Sequence, residues 1–349
     1  MLGVMVVLIV MAIEFLPLLW VASLKYSPPL IYSYFYPMLT RLQRLITFSL
    51  IAFSCGWAFY FHADGVVALG GVLVITLGYS AVLAAELLAL WWVNNAASLP
   101  QPAFKELLSA WWGEILIAPL VFCWLQPFRA NAIPDQLALK TGLPNRRGVV
   151  LVHGFFCNRG FWTPWLKRLQ GSGHAFVALD LAPVFGSIDG YALQIDEAVS
   201  RLTQATGLPP LLVCHSMGGL AVRSWLKQMK GVGRVHHIVT IGSPHHGTWL
   251  AQFGFGHNCQ QMRLLSEWQA QLDVGMPADH HTLFTCWYSN SDNVVFPAAN
   301  ATLAQADNRL LHGIAHVQMA FLPEVIETTL AMLEHPLPAA HRLEALLSP

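Results

Sequence analysis

Val213-Cys-His-Ser-Met-Gly-Gly219 is the stretch that decides the fold. An apolar run, Leu211-Leu-Val-Cys214, enters it, and a helical stretch from Leu220 to Met229 leaves it, so Ser216 sits at a strand-to-helix corner. Such a corner forces a strained backbone on its serine, so the residues two before and two after must be small. Gly218 meets the second demand, and Cys214 fills the first, where glycine is the general rule. The serine then lies beside the positive end of a helix. The next backbone N–H, that of Met217, points at negative charge developing on a bound reactant.

Outward from the corner, from Arg147 on, short apolar runs alternate with helical stretches, which predicts a mostly parallel sheet flanked by helices. Strands are expected at Val149–Val152, Ala175–Leu179, Leu211–Cys214, Val235–Ile241 and Leu283–Tyr288. Helices are expected at Phe161–Leu169, Ile188–Leu202, Leu220–Met229 and Glu324–Glu334. Residues 249–281 form a long insert between two strands, at a level where such inserts build a substrate pocket or lid.

These segments resemble the α/β-hydrolase fold, and within it the bacterial lipases and esterases. The corner at Ser216 matches their nucleophile turn. Val150-Leu-Val-His-Gly-Phe155 is similar to the strand end that carries a second oxyanion donor, here the backbone N–H of Phe155. Thr240-Ile-Gly-Ser-Pro-His-His-Gly-Thr248 resembles the segment after the next strand. Ser289-Asn-Ser-Asp-Asn-Val-Val-Phe-Pro297 resembles the loop that supplies the acid, and Gly313-Ile-Ala-His-Val-Gln-Met319 the loop that supplies the histidine. The resemblance spans about residues 147–335 and leaves the first 140 uncovered.

A serine hydroxyl is a weak nucleophile at neutral pH and needs a base, itself oriented by a buried carboxylate. In this fold the chain order is serine, acid, histidine. Asp292 closely follows the strand Leu283–Tyr288, with Asp307 as the rival acid. His316 is the expected base, with His312 as its rival, and His215 is expected to pack or hydrogen-bond locally. The resemblance thus implies Ser216, Asp292 and His316 as a catalytic triad, Phe155 and Met217 as oxyanion donors, and no cofactor. The paired histidines His236-His237, His245-His246 and His280-His281 fit one metal poorly, since neighbours on a strand point to opposite faces. His245 and His246 follow a strand end, so they are expected near the mouth of the site.

The first third reads differently. Residues 1–95 carry only Glu14, Lys25, Arg41, Arg44, Asp64 and Glu86 as charges, and one histidine of fifteen, His62. Leu2–Leu24, Leu45–Phe61 and Val66 to about Trp92 are apolar enough to span a bilayer, which needs ~20 mostly apolar residues. The first lacks the basic start and the cleavage site of a signal peptide. His62-Ala-Asp-Gly65 should turn the second span into the third. Lys25, Arg41 and Arg44 fall between the first two spans, which by the positive-inside rule puts that loop and everything after the third span in the cytoplasm. Glu14 and Glu86 are expected to be protonated or hydrogen-bonded to a neighbouring helix.

Pro100 and Pro102 end the third span. A helix over Ala103–Trp124 follows, with Leu107, Leu108, Trp111, Trp112, Ile115 and Leu116 at helical spacing. Three placements are open to it: at the membrane interface, packed on the soluble domain, or as a fourth span that puts that domain outside. The expected organisation is a transmembrane helical region of about three helices at 1–95, a linker with an amphipathic interfacial helix at 96–140, and an α/β-hydrolase domain at 141–349.

Composition agrees. Of 349 residues, 55% are hydrophobic and 11% charged, against a usual ~25% charged, and mean hydropathy is +0.50. Lys+Arg and Asp+Glu both number 19, so no basic field exists to hold nucleic acid. The six cysteines are scattered and form no CxxC pair. The implied partners are a lipid or acyl-ester substrate and the bilayer. A triad alone does not separate ester cleavage from thioester or amide cleavage or acyl transfer. A membrane transport or binding protein with a degenerate hydrolase domain is the rival of another class.

Overall fold

A computed structural model describes residues 28–97, 99–137 and 146–334. The expected first span, Leu2–Leu24 with Glu14, lies outside the described residues. A six-stranded parallel sheet forms the centre: β1 (Val149–Val152), β2 (Phe176–Ala178), β3 (Leu211–His215), β4 (His237–Ile241), β5 (Phe284–Ser289) and β6 (Asp307–Leu311), in the order β2-β1-β3-β4-β5-β6. The first five are those expected from the apolar runs. β6 escapes that reading because Asp307-Asn-Arg-Leu-Leu311 is an edge strand that opens with three polar residues.

The inner strands are mostly apolar because helices cover both faces. Val150, Val152, Leu212 and Cys214 face one core, with Ile195, Val199, Leu220 and Trp225 of α6 (Ala192–Thr206) and α7 (Met217–Gln228). Val149, Leu151, Leu211 and Val213 face the other, with Trp165 and Leu169 of α5 (Thr163–Ser172) and Val325 and Leu333 of α9 (Pro323–Glu334). Alternate residues of one strand thus enter separate cores, as the pleat requires. The chain goes from β1 out to β2, then returns to place β3 on the other side of β1. The C-terminal ends of β1 and β3 therefore flank a topological switch point, where α/β sheets bind their ligands.

Among the described residues, α1 (Pro28–Tyr60), α2 (Gly65–Leu77), α3 (Tyr79–Ala96) and α4 (Phe104–Pro119) precede the sheet, with a π-helical turn and a short helix continuing α4 to Arg129. Asp64 caps α2 through the N–H groups of Val66 and Val67. Met38–Tyr60 and Phe104–Arg129 are long and apolar enough to cross a membrane. α2 and α3 join them as a third span if the pair is one span, bent by 48°. The break falls at Gly78, inside the single span expected over Val66–Trp92.

Two expectations change here. Arg41 and Arg44 are not loop residues, because α1 begins at Pro28, and Arg44 Nε donates to the Pro127 carbonyl at 2.7 Å. The helix expected at Ala103–Trp124 runs from Phe104 through a π-helical turn at Leu120–Leu125 to Arg129. One face of it, with Ala110, Glu114 and Ala118, is buried, while Phe104, Leu108, Trp112 and Leu116 are exposed.

Candidate active site

Ser216 has φ +55° and ψ −128°, a strained conformation for a residue with a side chain. The strain is held by Ser216 N–H donating to the Ile241 carbonyl at 2.9 Å and by Gly219 N–H donating to the Ser216 carbonyl at 3.1 Å. Gly218 allows the tight approach: a Cβ there would lie 2.4 Å from the Val152 carbonyl oxygen. Cys214 is fully buried and its thiol is pushed well above its ordinary pKa by burial, so it serves only as a small core residue.

Across the switch point, Gly154 lies so close that a Cβ on it would come within 2.7 Å of Ser216 Cβ. The buried His153 next to it shows how the β1 end is set. Its Nδ1 lies 2.8 Å from the Gly154 carbonyl oxygen, and its Nε2 accepts the Leu181 N–H at 3.0 Å. The proton is therefore on Nδ1, which donates to Gly154. Burial lowers this histidine's pKa to about 4, which keeps it neutral. A trans peptide sets its C=O and N–H on opposite sides. Fixing the Gly154 carbonyl therefore fixes the Phe155 N–H, which donates to no group among the described residues. Met217 N–H opens α7 and has no intrahelical acceptor.

Asp292 and His316 come from the loops after β5 and β6. Asp292 Oδ1 accepts the N–H groups of Val294 and Val295 at 2.8 and 2.9 Å, which fixes the carboxylate on its own loop. Its Oδ2 lies 2.9 Å from His316 Nδ1, and both side chains are buried. In neutral imidazole that bond puts the proton on Nδ1 and leaves the Nε2 lone pair free to accept. Burial opposes charging His316, but Asp292, Glu114 and Glu86 outweigh it and raise the pKa above its ordinary value. The His316 ring is 4.7 Å from that of His215, the residue before Ser216. His215 stacks on Phe161 at 4.5 Å, its Nε2 lies 3.3 Å from the His316 carbonyl, and burial holds its pKa well below the ordinary value.

The rival residues lie elsewhere. His312 is exposed and pairs with Glu106 Oε1 at 3.0 Å. Asp307 stands in β6, paired with Arg309 at 2.6 Å. His245 does not line the mouth: it is buried beside Thr240, with Nε2 3.1 Å from Oγ1. Its strand-end position led outward by pattern, but Arg223 draws the loop in by donating to the His245 carbonyl at 2.9 Å. Asp273, His280 and His281 bring ligand-type atoms within 4.8 Å of one another. Arg223 also donates to Asp273 Oδ1 at 2.7 Å, so that carboxylate already has a cation. The insert of residues 249–281 is clamped: Trp268 Nε1 donates to Asp189 at 2.8 Å, and Asn258 donates to the Val184 carbonyl at 2.8 Å. Asn258 Nδ2 also lies 3.8 Å from Met217 Sδ, so the insert covers the corner.

Glu86 and Glu114 are the residues that sequence patterns missed. Both are buried, and from the apolar helices Glu86 reaches the loop of Asp292 and Glu114 the loop of His316. Glu86 Oε2 accepts the Asn293 amide at 2.7 Å, so its partner lies in the acid loop and not on a neighbouring helix. Glu114 accepts the N–H groups of Val317 and Gln318, each at 3.1 Å. An acid inside an apolar run was the available signal.

No curated protein sequence matches the chain significantly. Among solved structures it is similar to a Bacillus licheniformis lipase, with 16% identity over 56% of this chain and 95% of that one, TM-score 0.49. It is also similar to Aspergillus fumigatus lipase B, with 18% identity over 60% of this chain and 58% of that one, TM-score 0.48. A soluble variant of monoglyceride lipase from Saccharomyces cerevisiae shares 15% identity over 58% of this chain and 91% of that one, TM-score 0.41. Residues 149–345, more than half of the chain, match the model of the alpha/beta hydrolase family, with the parallel sheet and the serine corner both inside the matched region, and the chain belongs to that family.

Proposed function

We propose that this protein is a membrane-anchored serine hydrolase that cleaves carboxylic esters of lipids or other acyl groups. Ser216 Oγ attacks the ester carbonyl carbon while its proton passes to His316 Nε2. Asp292 holds the imidazole in the required tautomer and stabilises its cation. The N–H groups of Phe155 and Met217 receive the oxyanion. The tetrahedral intermediate collapses, His316 gives the proton to the departing alkoxide, and an acyl-Ser216 ester remains. Water, deprotonated by His316, attacks that ester and releases the carboxylic acid and Ser216.

The observation that carries this reading is the buried His316–Asp292 pair at 2.9 Å, the His316 ring 4.7 Å from that of His215, the residue before a serine held at φ +55°. The lipid character of the substrate rests on the apolar helices and on exposed apolar groups near the insert. Trp92 of α3 meets Trp249 at 6.0 Å, and Trp249 meets the exposed Phe253 at 4.9 Å. This joins the helices to the insert as one apolar surface. In this reading residues 1–95 anchor the chain, 96–140 link it through an interfacial helix, and 141–349 catalyse on the cytoplasmic side of the inner membrane.

Fluorophosphonate labelling of the full chain in detergent tests the chemistry. Wild type should label, and neither Ser216→Ala nor His316→Ala should. A folded wild type that does not label would sink the proposal. Medium and long acyl esters should show higher kcat/KM than acetate, and a flat chain-length profile would remove the lipid assignment. Tag accessibility in intact cells checks the membrane side.

A further inference from the structure

The backbone around His316 is held from outside the hydrolase sheet. His316 opens the four-residue helix α8 (His316–Met319), whose first N–H groups have no partners within it. His316 N–H donates to Asn293 Oδ1 at 3.1 Å, and Asn293 Nδ2 donates to Glu86 Oε2 of α3 at 2.7 Å. Val317 and Gln318 N–H donate to the two oxygens of Glu114 on α4. Three successive N–H groups at the histidine are thus received by side chains, two of them by Glu114 directly and one through Asn293 and Glu86. α3 and α4 are themselves joined, Tyr79 Oη donating to the Ile115 carbonyl at 2.6 Å and Trp111 Nε1 to the Ser80 carbonyl at 2.8 Å. Leu87 of α3 and Ala110 of α4 pack on Ala315, the residue before the histidine.

We propose that Glu86 and Glu114 are positioning residues for His316, so that the apolar helices set the geometry of the catalytic base as well as holding the chain at a membrane. An acid in an apolar helix is costly and is retained where it has a task. Here Glu114 ends on the backbone beside the base, and Glu86 ends on Asn293, whose side chain accepts the N–H of His316. The groups facing the His316 ring and backbone are Asp292 from the loop after β5, His215 from β3, Glu86 from α3 and Glu114 from α4. Removing a carboxylate from this set leaves the imidazolium less stabilised and its backbone free to shift. A displacement of about 1 Å at such a site can cost about 100-fold in rate.

The inference rests on Ser216 and His316 acting as proposed above, and the test separates the two. The full chain in detergent is assayed with p-nitrophenyl butyrate and with a fluorophosphonate, for wild type, Glu86→Leu, Glu86→Gln, Glu114→Gln, Asn293→Ala and the Glu86→Leu/Asn293→Ala pair. Glu86→Leu should lower kcat about 10- to 100-fold with KM within about twofold. Glu86→Gln should recover most of that loss, because its amide oxygen still accepts from Asn293. The double variant should fall no further than Asn293→Ala alone, since both act along one path. In Glu114→Gln the acid limb of kcat/KM should move to lower pH, a shift that loosened packing alone does not produce. If Glu86→Leu does not fold, Asn293→Ala and Glu114→Gln read the same brace from the other side. Folded variants with wild-type kcat, wild-type labelling rate and an unmoved acid limb would overturn the positioning role. So would losses that multiply in the double variant. A folded wild type that does not label would instead overturn the hydrolase reading, and the positioning role with it.

Discussion

The two halves of the candidate site are built in opposite ways. The Ser216 half stands on β1 and β3, adjacent strands in register from Val149↔Leu211 to Val152↔Cys214, and its geometry is closed by backbone bonds within the sheet. The His316 half stands on two loops. Two of its backbone N–H groups are received by Glu114, 203 and 204 residues away in the chain, and the Asn293 side chain is held by Glu86, 207 residues away. The serine half is thus closed within the family's matched segment, residues 149–345, while the histidine half, inside the same segment, is braced by Glu86 and Glu114 from outside it. Loss of Ser216 or His316 should abolish chemistry outright, damage to the sheet under the serine should unfold it, and loss of the braces behind the histidine should grade the rate.

The largest expected effect breaks the first half. Ser216→Ala should lower kcat about 10⁶-fold and abolish fluorophosphonate labelling, with Tm nearly unchanged because no packing is lost. Retained ester hydrolysis above ~1% of wild type would refute the assignment. In the second half, Asp292→Asn should cost about 10⁴-fold in kcat, since the amide favours the wrong tautomer of His316. Steady-state assays across pH measure this.

Gly218→Ala separates folding from chemistry. Its Cβ would meet two carbonyl oxygens, at 2.4 Å from Val152 and 2.8 Å from His153. It should destabilise by about 1–3 kcal/mol, read by denaturant unfolding. The pH dependence is a smaller effect with a definite sign. The base must be neutral to act, and the carboxylates around His316 raise its pKa. The acid limb of kcat/KM should therefore lie above the ordinary histidine value of ~6.5, and activity should fall as pH drops through it. A limb at or below that value would contradict the surrounding charge. The smallest effect is expected from His312→Ala and Asp307→Asn, each within about twofold of wild-type kcat, because these side chains pair with Glu106 and Arg309 at the surface.

The same contrast explains what was legible from sequence. The serine corner is a local pattern, since Cys214, Gly218 and the apolar run before them lie within a few residues of Ser216. The five buried strands announce themselves as apolar runs. β6 does not, being an edge strand, and neither does the break at Gly78, which an apolar run conceals. The acid and base loops are readable through resemblance alone. Their braces are not, because nothing in the spacing of Glu86 or Glu114 indicates which loop each will meet. The burial of His245 depends likewise on Arg223, an arginine on another element.

Cys214 carries one more consequence. Its sulfur lies in the fully buried core two residues from Ser216, while Cys55 is exposed on α1. On a helix read as a membrane span Cys55 faces lipid or detergent, and a thiol reagent added to the folded protein should reach Cys214 only when the central sheet opens. Alkylation of Cys214, distinguished by peptide mapping from the other buried cysteines Cys157, Cys259 and Cys286, is then a clock for that opening, read at the strand that holds the serine and under native conditions.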